Sequence, residues 1–267
     1  MSIHRPEQPV PDYVAGHGLL VDKVVVVTAA AGAGIGVAVV RRALEEGARA
    51  VVISDTHERR LAEAEAELGK EFGPERVRSL VCDVTDEAQV GALLDAADEF
   101  GGVDVMVNNA GLGGEVNLLE MSDEQWLRVL DITLNGTFRC VRAAGNRMVK
   151  VGKKGVIVNN ASVIGWRAQE GQAHYAAAKA GVMALTRCAA LDMAQHGIRV
   201  NAVSPSLAMH PFLEKVTTPE LLAELKQREA FGRAAEPWEV ANVMVFLASD
   251  YSSYLTGEVI STSSQHA

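Results

Sequence analysis

At 267 residues the chain fits one large domain or two small ones. Its formal net charge of −9, from 25 basic and 34 acidic residues, argues against nucleic acid as a partner, because such binders carry a basic excess. With 48% hydrophobic and 22% charged residues the chain is built to fold, and no apolar run reaches the ~18 residues of a membrane span.

Cys82, Cys140 and Cys188 have neither metal-ligand spacing nor the look of a disulfide framework, which points to a reducing, cytoplasmic setting and to no bound metal. The opening MSIHRPEQPVPDYVAGHG has no apolar core of a signal peptide. Residues 1–21, with three prolines and no period, read as an arm lying on the surface or on a partner subunit. Residues 22–267 read as one domain.

From Lys23 an alternation begins. Lys23–Thr28 (KVVVVT) is a β-branched run suited to a strand buried on both faces. Glycines lead into a helix over Ile35–Glu46, closed by Gly47. A second strand, Arg49–Ser54, ends at Asp55, and a charged helix (ERRLAEAEAELGKEF) leads to a third strand ending at Asp83. Then follow a helix over Glu87–Phe100, a strand over Val103–Asn108 and a long helix from about Glu124 to Val149. Strand Gly155–Asn160, helix Tyr175–His196, strand Arg199–Ser204, helix Pro237–Ala248 and a seventh strand near Glu258–Ile260 complete the chain. Strand and helix at this spacing predict an α/β fold: a doubly wound, seven-stranded parallel sheet of Rossmann type.

The first turn, VTAAAGAGIG, sets Gly32, Gly34 and Gly36 between strand and helix, where free N–H groups meet a phosphate. Asp55, at the end of the next strand, is placed to accept hydrogen bonds from an adenosine ribose, or else to cap the following helix. The strand end VNNAG puts two amides at the carboxyl edge of the sheet, where ligands of such folds bind, although Asn and Gly are also ordinary turn residues. Tyr175 and Lys179 are one helical turn apart and project from one face, with Ser162 just past the preceding strand. A free phenol is a poor base at neutral pH, and a neighbouring ammonium is expected to lower its pKa. Tyr175 would then exchange a proton with a substrate oxygen that the Ser162 hydroxyl also binds.

These features in this order, with Asp83-Val84, NNAG, NAVSP and FLASDYSSYLTGEVI, resemble the short-chain dehydrogenase/reductases over about Asp22 to Ile260. The resemblance implies that Ser162, Tyr175 and Lys179 are catalytic, Lys179 also holding the nicotinamide ribose. It implies cofactor contacts from Thr28, Gly32, Gly34, Ile35, Gly36, Asp55, Asp83, Val84, Asn109, Ala110, Gly111 and Pro205. The chain departs from the family in four places. The glycine turn is one residue longer, with Ala29 at the first glycine, and Thr133 stands where the catalytic Asn is usual, Asn135 being out of frame. Pro205-Ser206 replaces Pro-Gly, with His210 in place of a Thr, and the tail STSSQHA lacks the usual aspartate and glycines. Thr133 is a weaker catalytic candidate.

Several phrases (NNASV.GWRAQ, HYAAAKAGVMALTRC, FGRAAEPWEVA) resemble a branch of actinobacterial enzymes of steroid C/D-ring breakdown. That branch implies oxidation of a ring hydroxyl on a bicyclic CoA thioester. The alternatives are a 3-oxoacyl reductase and, in another class, a nucleotide-sensing regulator without catalysis. The segment 206–233 is expected to cover the substrate, with Leu207, Met209, Phe212, Leu213 and Phe231 beside Lys215, Lys226 and Arg228, or to be an ordinary helix with a solvated face. Trp166 and Arg167 are better placed to touch a substrate. Asp55, with neutral Ala33 and Thr56 beside it, favours NAD over NADP, provided that Arg59 and Arg60 turn to helix partners such as Glu63 rather than to a phosphate. The resemblance also implies a homotetramer, in keeping with a helix at Tyr175–Leu191 that is apolar on more than one side.

Overall fold

The computed structural model describes residues 5–209 and 218–265. Seven strands form one parallel sheet in the order β3-β2-β1-β4-β5-β6-β7. They are β1 (Val24–Val27), β2 (Ala50–Asp55), β3 (Val77–Val81), β4 (Val105–Asn108), β5 (Val156–Asn160), β6 (Arg199–Pro205) and β7 (Val259–Thr262). The helices are α1 (Ile35–Glu45), α2 (Glu58–Phe72), α3 (Glu87–Asp98), α4 (Asp123–Leu130), α5 (Gly136–Lys150), α6 (Ala173–Ala194), α7 (Pro219–Arg228) and α8 (Pro237–Ala248). The expected doubly wound sheet is present. Its strand order reverses between β1 and β4, which places the ligand crevice at their carboxyl ends.

Strand β1 shows why. All four of its valines are buried, and alternate ones enter opposite layers. Val25 and Val27 pack in the core with α1, α2 and α8, whereas Val24 and Val26 pack with α3 and α5. A strand that is apolar throughout needs cover on both sides, and the crossover helices supply it. Helix α1 ends as its sequence predicts: Gly47 has φ +84, and the Gly47 and Ala48 amides donate to Leu44 O and Ala43 O.

Two expectations change. The third strand stops at Val81, so Cys82 and Asp83 belong to the turn after it. The single helix expected over Glu124–Val149 is interrupted at Asp131–Asn135 by a wide turn, with the Gly136 amide donating to Asp131 O. Segment 206–233 contains a helix of its own, α7, while His210, Phe212, Leu213 and Lys215 lie outside the described residues.

The arm runs over its own chain. Arg42 donates to Val14 O and pairs with Glu46, whose carboxylate also accepts from the His17 and Leu19 amides. Further out, the Gln8 amide donates to Phe231 O and the Arg5 amide to Gln227.

Ala29, in the place of the family's first glycine, has φ +51, a region costly for any residue with a Cβ. Ala29→Gly is expected to stabilise the protein by about 1 kcal/mol, or about 2–4 °C in thermal midpoint. An unchanged or lowered midpoint in calorimetry would mean that the turn carries no strain.

Candidate active site

The nucleotide half is built at the first turn. Gly34 caps α1 with no side-chain hydrogen bond, and the first helical turn holds no acid. The helix therefore presents unpaired N–H groups and the positive end of its dipole. A Cβ at Gly32 or Gly34 would meet open space, so the loop is accessible there. At Gly36 a Cβ would stand 2.4 Å from Ala29 O and 2.7 Å from Asn109 Nδ2, so glycine is required for α1 to approach the strand ends. Asp55 reaches the same turn: it accepts from the Ala31 amide at 3.3 Å and the His57 amide at 2.9 Å. His57, not Asp55, caps α2. Arg59 pairs with Glu63 at 2.9 Å. An anion-binding helix end, an accessible glycine loop and a carboxylate at the end of β2 fit a dinucleotide.

Some of the expected contact residues stand behind this surface. Thr28 is 1% exposed, and its hydroxyl accepts from the Asn109 and Ala110 amides, both at 3.0 Å. Asn109 Nδ2 donates to Thr28 O and Ala29 O, while its Oδ1 accepts from Asn160 Nδ2 at 2.9 Å. Asp83 accepts from the Thr85 amide and hydroxyl, and Val84 is buried against Gly136. Gly111 passes close to both Lys179 and Thr133.

The second half gathers on β5 and α6. Ser162 and Tyr175 line one cleft with Ile35, Asn160, Ala161 and Pro205–Ala208. Helix α6 is set against the sheet by a buried polar ladder, in which Asn108 donates to Asn159 at 2.8 Å and Asn159 to Thr186 at 2.9 Å. Lys179, 3% exposed, donates from Nζ to Asn160 O at 2.5 Å, with Nζ 5.5 Å from the centre of the Tyr175 ring. Thr133 is fully buried; its hydroxyl accepts from the Leu112 amide at 2.9 Å and donates to Leu112 O at 3.1 Å. It holds the loop after β4. Asn135 bonds Asp131 on the exposed side, away from the site.

One electrostatic expectation is corrected. Burial holds the Tyr175 phenol above its ordinary range, with a hydrogen bond to Ser162 working the other way. Lys179 is directed at the Asn160 carbonyl. Burial also brings the Lys179 ammonium down to about 8. Cys82 and Cys140 are pushed up by burial, to about 11 and about 12, which leaves them inert as thiolates.

Asn160 and Gln265 were not singled out from sequence. The amide pairs in VNN at the ends of β4 and β5 were a signal for Asn160; Gln265 had none. Arg167 donates to Gln265, and Trp166 is 45% exposed. Among the described residues no cluster of metal-ligating side chains occurs, and no helix is long and apolar enough to cross a membrane.

Because Lys179 protonates near pH 8 in the folded chain and near 10.5 when unfolded, it lowers stability fully below pH 8, and the loss fades as pH rises towards 10.5. Lys179→Met is therefore expected to be the more stable protein at pH 7. Its advantage should shrink by about 2 kcal/mol by pH 10 in urea unfolding without cofactor. A gap independent of pH would show that Lys179 is not desolvated.

Residues 29–264 match the family model described as enoyl-(acyl carrier protein) reductase. The chain is 63% identical over 257 residues, 96% of its length and 97% of the relative's, to a Mycobacterium tuberculosis protein. That protein is named (5R,7aS)-5-hydroxy-7a-methyl-1-oxo-2,3,5,6,7,7a-hexahydro-1H-indene-carboxyl-CoA reductase. It is 39% identical over 240 residues, 89% of its length and 95% of the relative's, to a 3-oxoacyl-[acyl-carrier-protein] reductase of Thermotoga maritima. The crystal structure of a short chain dehydrogenase from Mycobacterium smegmatis superposes with a TM-score of 0.86 at 55% identity, covering 97% of this chain and 99% of that one. The chain belongs to the short-chain dehydrogenase/reductase family and is an oxidoreductase that works with a nicotinamide dinucleotide.

Proposed function

We propose that the protein interconverts a secondary alcohol and a ketone on a fused-ring CoA thioester, with NAD(H) as cofactor. The cleft shared by Ser162 and Tyr175 carries this reading, since it offers two hydroxyls to one substrate oxygen beside the apolar Ile35, Leu207 and Ala208. The likeness to the indene-carboxyl-CoA reductase supports the substrate class.

In the reduction direction Tyr175 gives its proton to the carbonyl oxygen as that oxygen gains charge, and Ser162 donates a hydrogen bond to the same atom. In oxidation Tyr175 takes the proton back. Lys179, anchored on Asn160 O, supplies positive charge beneath the ring and would hold the cofactor ribose. Thr133 keeps the loop after β4 in place, which makes it a positioning group rather than a proton donor. The nicotinamide, when bound, supplies or accepts the hydride. A cytoplasmic setting accords with three free cysteines, and a homotetramer with the exposure of Leu127, Phe138 and Leu191.

Turnover is to be followed by NADH absorbance on hydroxylated and keto bicyclic fragments, as free acids and as CoA thioesters, with acetoacetyl-CoA alongside. Preference for the bicyclic thioester is expected; preference for acetoacetyl-CoA would assign a 3-oxoacyl reductase instead. Tyr175→Phe should lower kcat at least ~100-fold and leave NADH binding nearly intact. Retention of a tenth of kcat would remove Tyr175 from its role.

NAD is the inferred cofactor because Asp55 stands where a 2′-phosphate would meet a like charge, while Arg59 is engaged by Glu63. kcat/KM should favour NAD by at least ~100-fold, about 2.7 kcal/mol, and Asp55→Ala should erase most of that preference. Equal efficiency with both cofactors before mutation would refute this reading of Asp55.

A further inference from the structure

Glu229, between α7 and Phe231, is 1% exposed and forms no ion pair among the described residues. Its carboxylate accepts four hydrogen bonds from neutral donors. Oε2 takes the Ser206 hydroxyl at 3.1 Å and the Ser264 hydroxyl at 2.7 Å. Oε1 takes the Leu207 amide at 3.2 Å and Gln265 Nε2 at 2.6 Å. Gln265 passes the connection on by accepting from Arg167, which lies on the loop between Ser162 and Tyr175. The backbone adds Ala230 N to Ser264 O at 3.0 Å and Ser206 N to Thr262 O at 3.3 Å.

A buried carboxylate without a counter-charge is costly, and it persists only where several donors converge on it. Here the donors come from two separate segments, the turn after β6 and the tail after β7. Ser206 and Leu207 also line the cleft that holds Ser162 and Tyr175. An apolar side chain would fill the same volume but would fix the direction of none of these groups. We propose that Glu229 is a positioning residue for the reaction. Acting through Ser206 and Leu207, and through Gln265 on Arg167, it fixes the substrate-facing wall of the cleft relative to Tyr175. The inference rests on the oxidoreductase activity and not on the identity of the thioester.

The test uses the full chain with Glu229→Leu, Glu229→Gln and Gln265→Ala. It reads kcat and KM on whichever substrate the unmutated protein turns over, the NADH dissociation constant, and hydrogen exchange over residues 163–170 and 206–209. The exchange measurement needs no substrate, so a wrong substrate class leaves it intact. Glu229→Leu should raise KM about tenfold while kcat and NADH affinity stay within about threefold, and it should speed exchange in both segments. Glu229→Gln should restore KM to within about threefold, because its carbonyl can take the two N–H donors while its amide donates to the two hydroxyls. Gln265→Ala, which cuts the branch to Arg167 and leaves Glu229 three of its four donors, should raise KM about threefold and speed exchange more at 163–170 than at 206–209. It carries the test if Glu229→Leu does not fold. Unchanged KM and exchange in the variants that fold, a parallel loss of KM, kcat and NADH affinity, or failure of Gln to rescue would each overturn the proposal.

Discussion

The two halves of the site meet at one amide. Asn109 reaches back to the carbonyls of Thr28 and Ala29, and forward to Asn160, whose own carbonyl holds Lys179. The glycine turn and the Ser–Tyr–Lys group are thereby fixed to one another across three adjacent strand ends. A side-chain amide suits this junction because Asn109 donates and accepts at once, while Asn160 donates to it and leaves its own Oδ1 without a partner among the described residues. Had the link been apolar, the strands would pack equally well, but nothing would set the distance from the turn to the lysine.

Around this junction the fold tolerates local costs. Ala29 sits in a left-handed conformation, and Lys179 is buried with no carboxylate partner among the described residues. Each is unfavourable alone, yet each lies where the surrounding structure over-determines it. Two apolar layers, one on either face of the sheet, supply the cohesion that makes such costs affordable.

The fold was legible because β1 is four valines and because α1 and α2 end at glycines, Gly47 and Gly73. The site was legible as far as chemistry follows spacing: Ser162, Tyr175 and Gly36 stand where their pattern puts them. What could not be read were properties set by three-dimensional surroundings. Thr28 looks available in sequence but is consumed by backbone amides. Tyr175 beside Lys179 suggests a lowered phenol, yet burial raises it. No spacing or motif marks Glu229, and only the fold brings the tail over it. The break between α4 and α5 has no glycine or proline inside it to announce it.

That break has a geometric meaning. A turn closed from Gly136 back to Asp131 holds one residue more than an α-helical turn. Within it Thr133 faces the interior, and Asn135 faces Asp131 on the outside. The extra residue is absorbed within this one turn, so the helices on either side keep their facing, whereas winding the same sequence as a plain helix would swing one side by about 100° relative to the other. The wide turn thus acts as an angular setting that fixes which side chains of α4 and α5 face the interior.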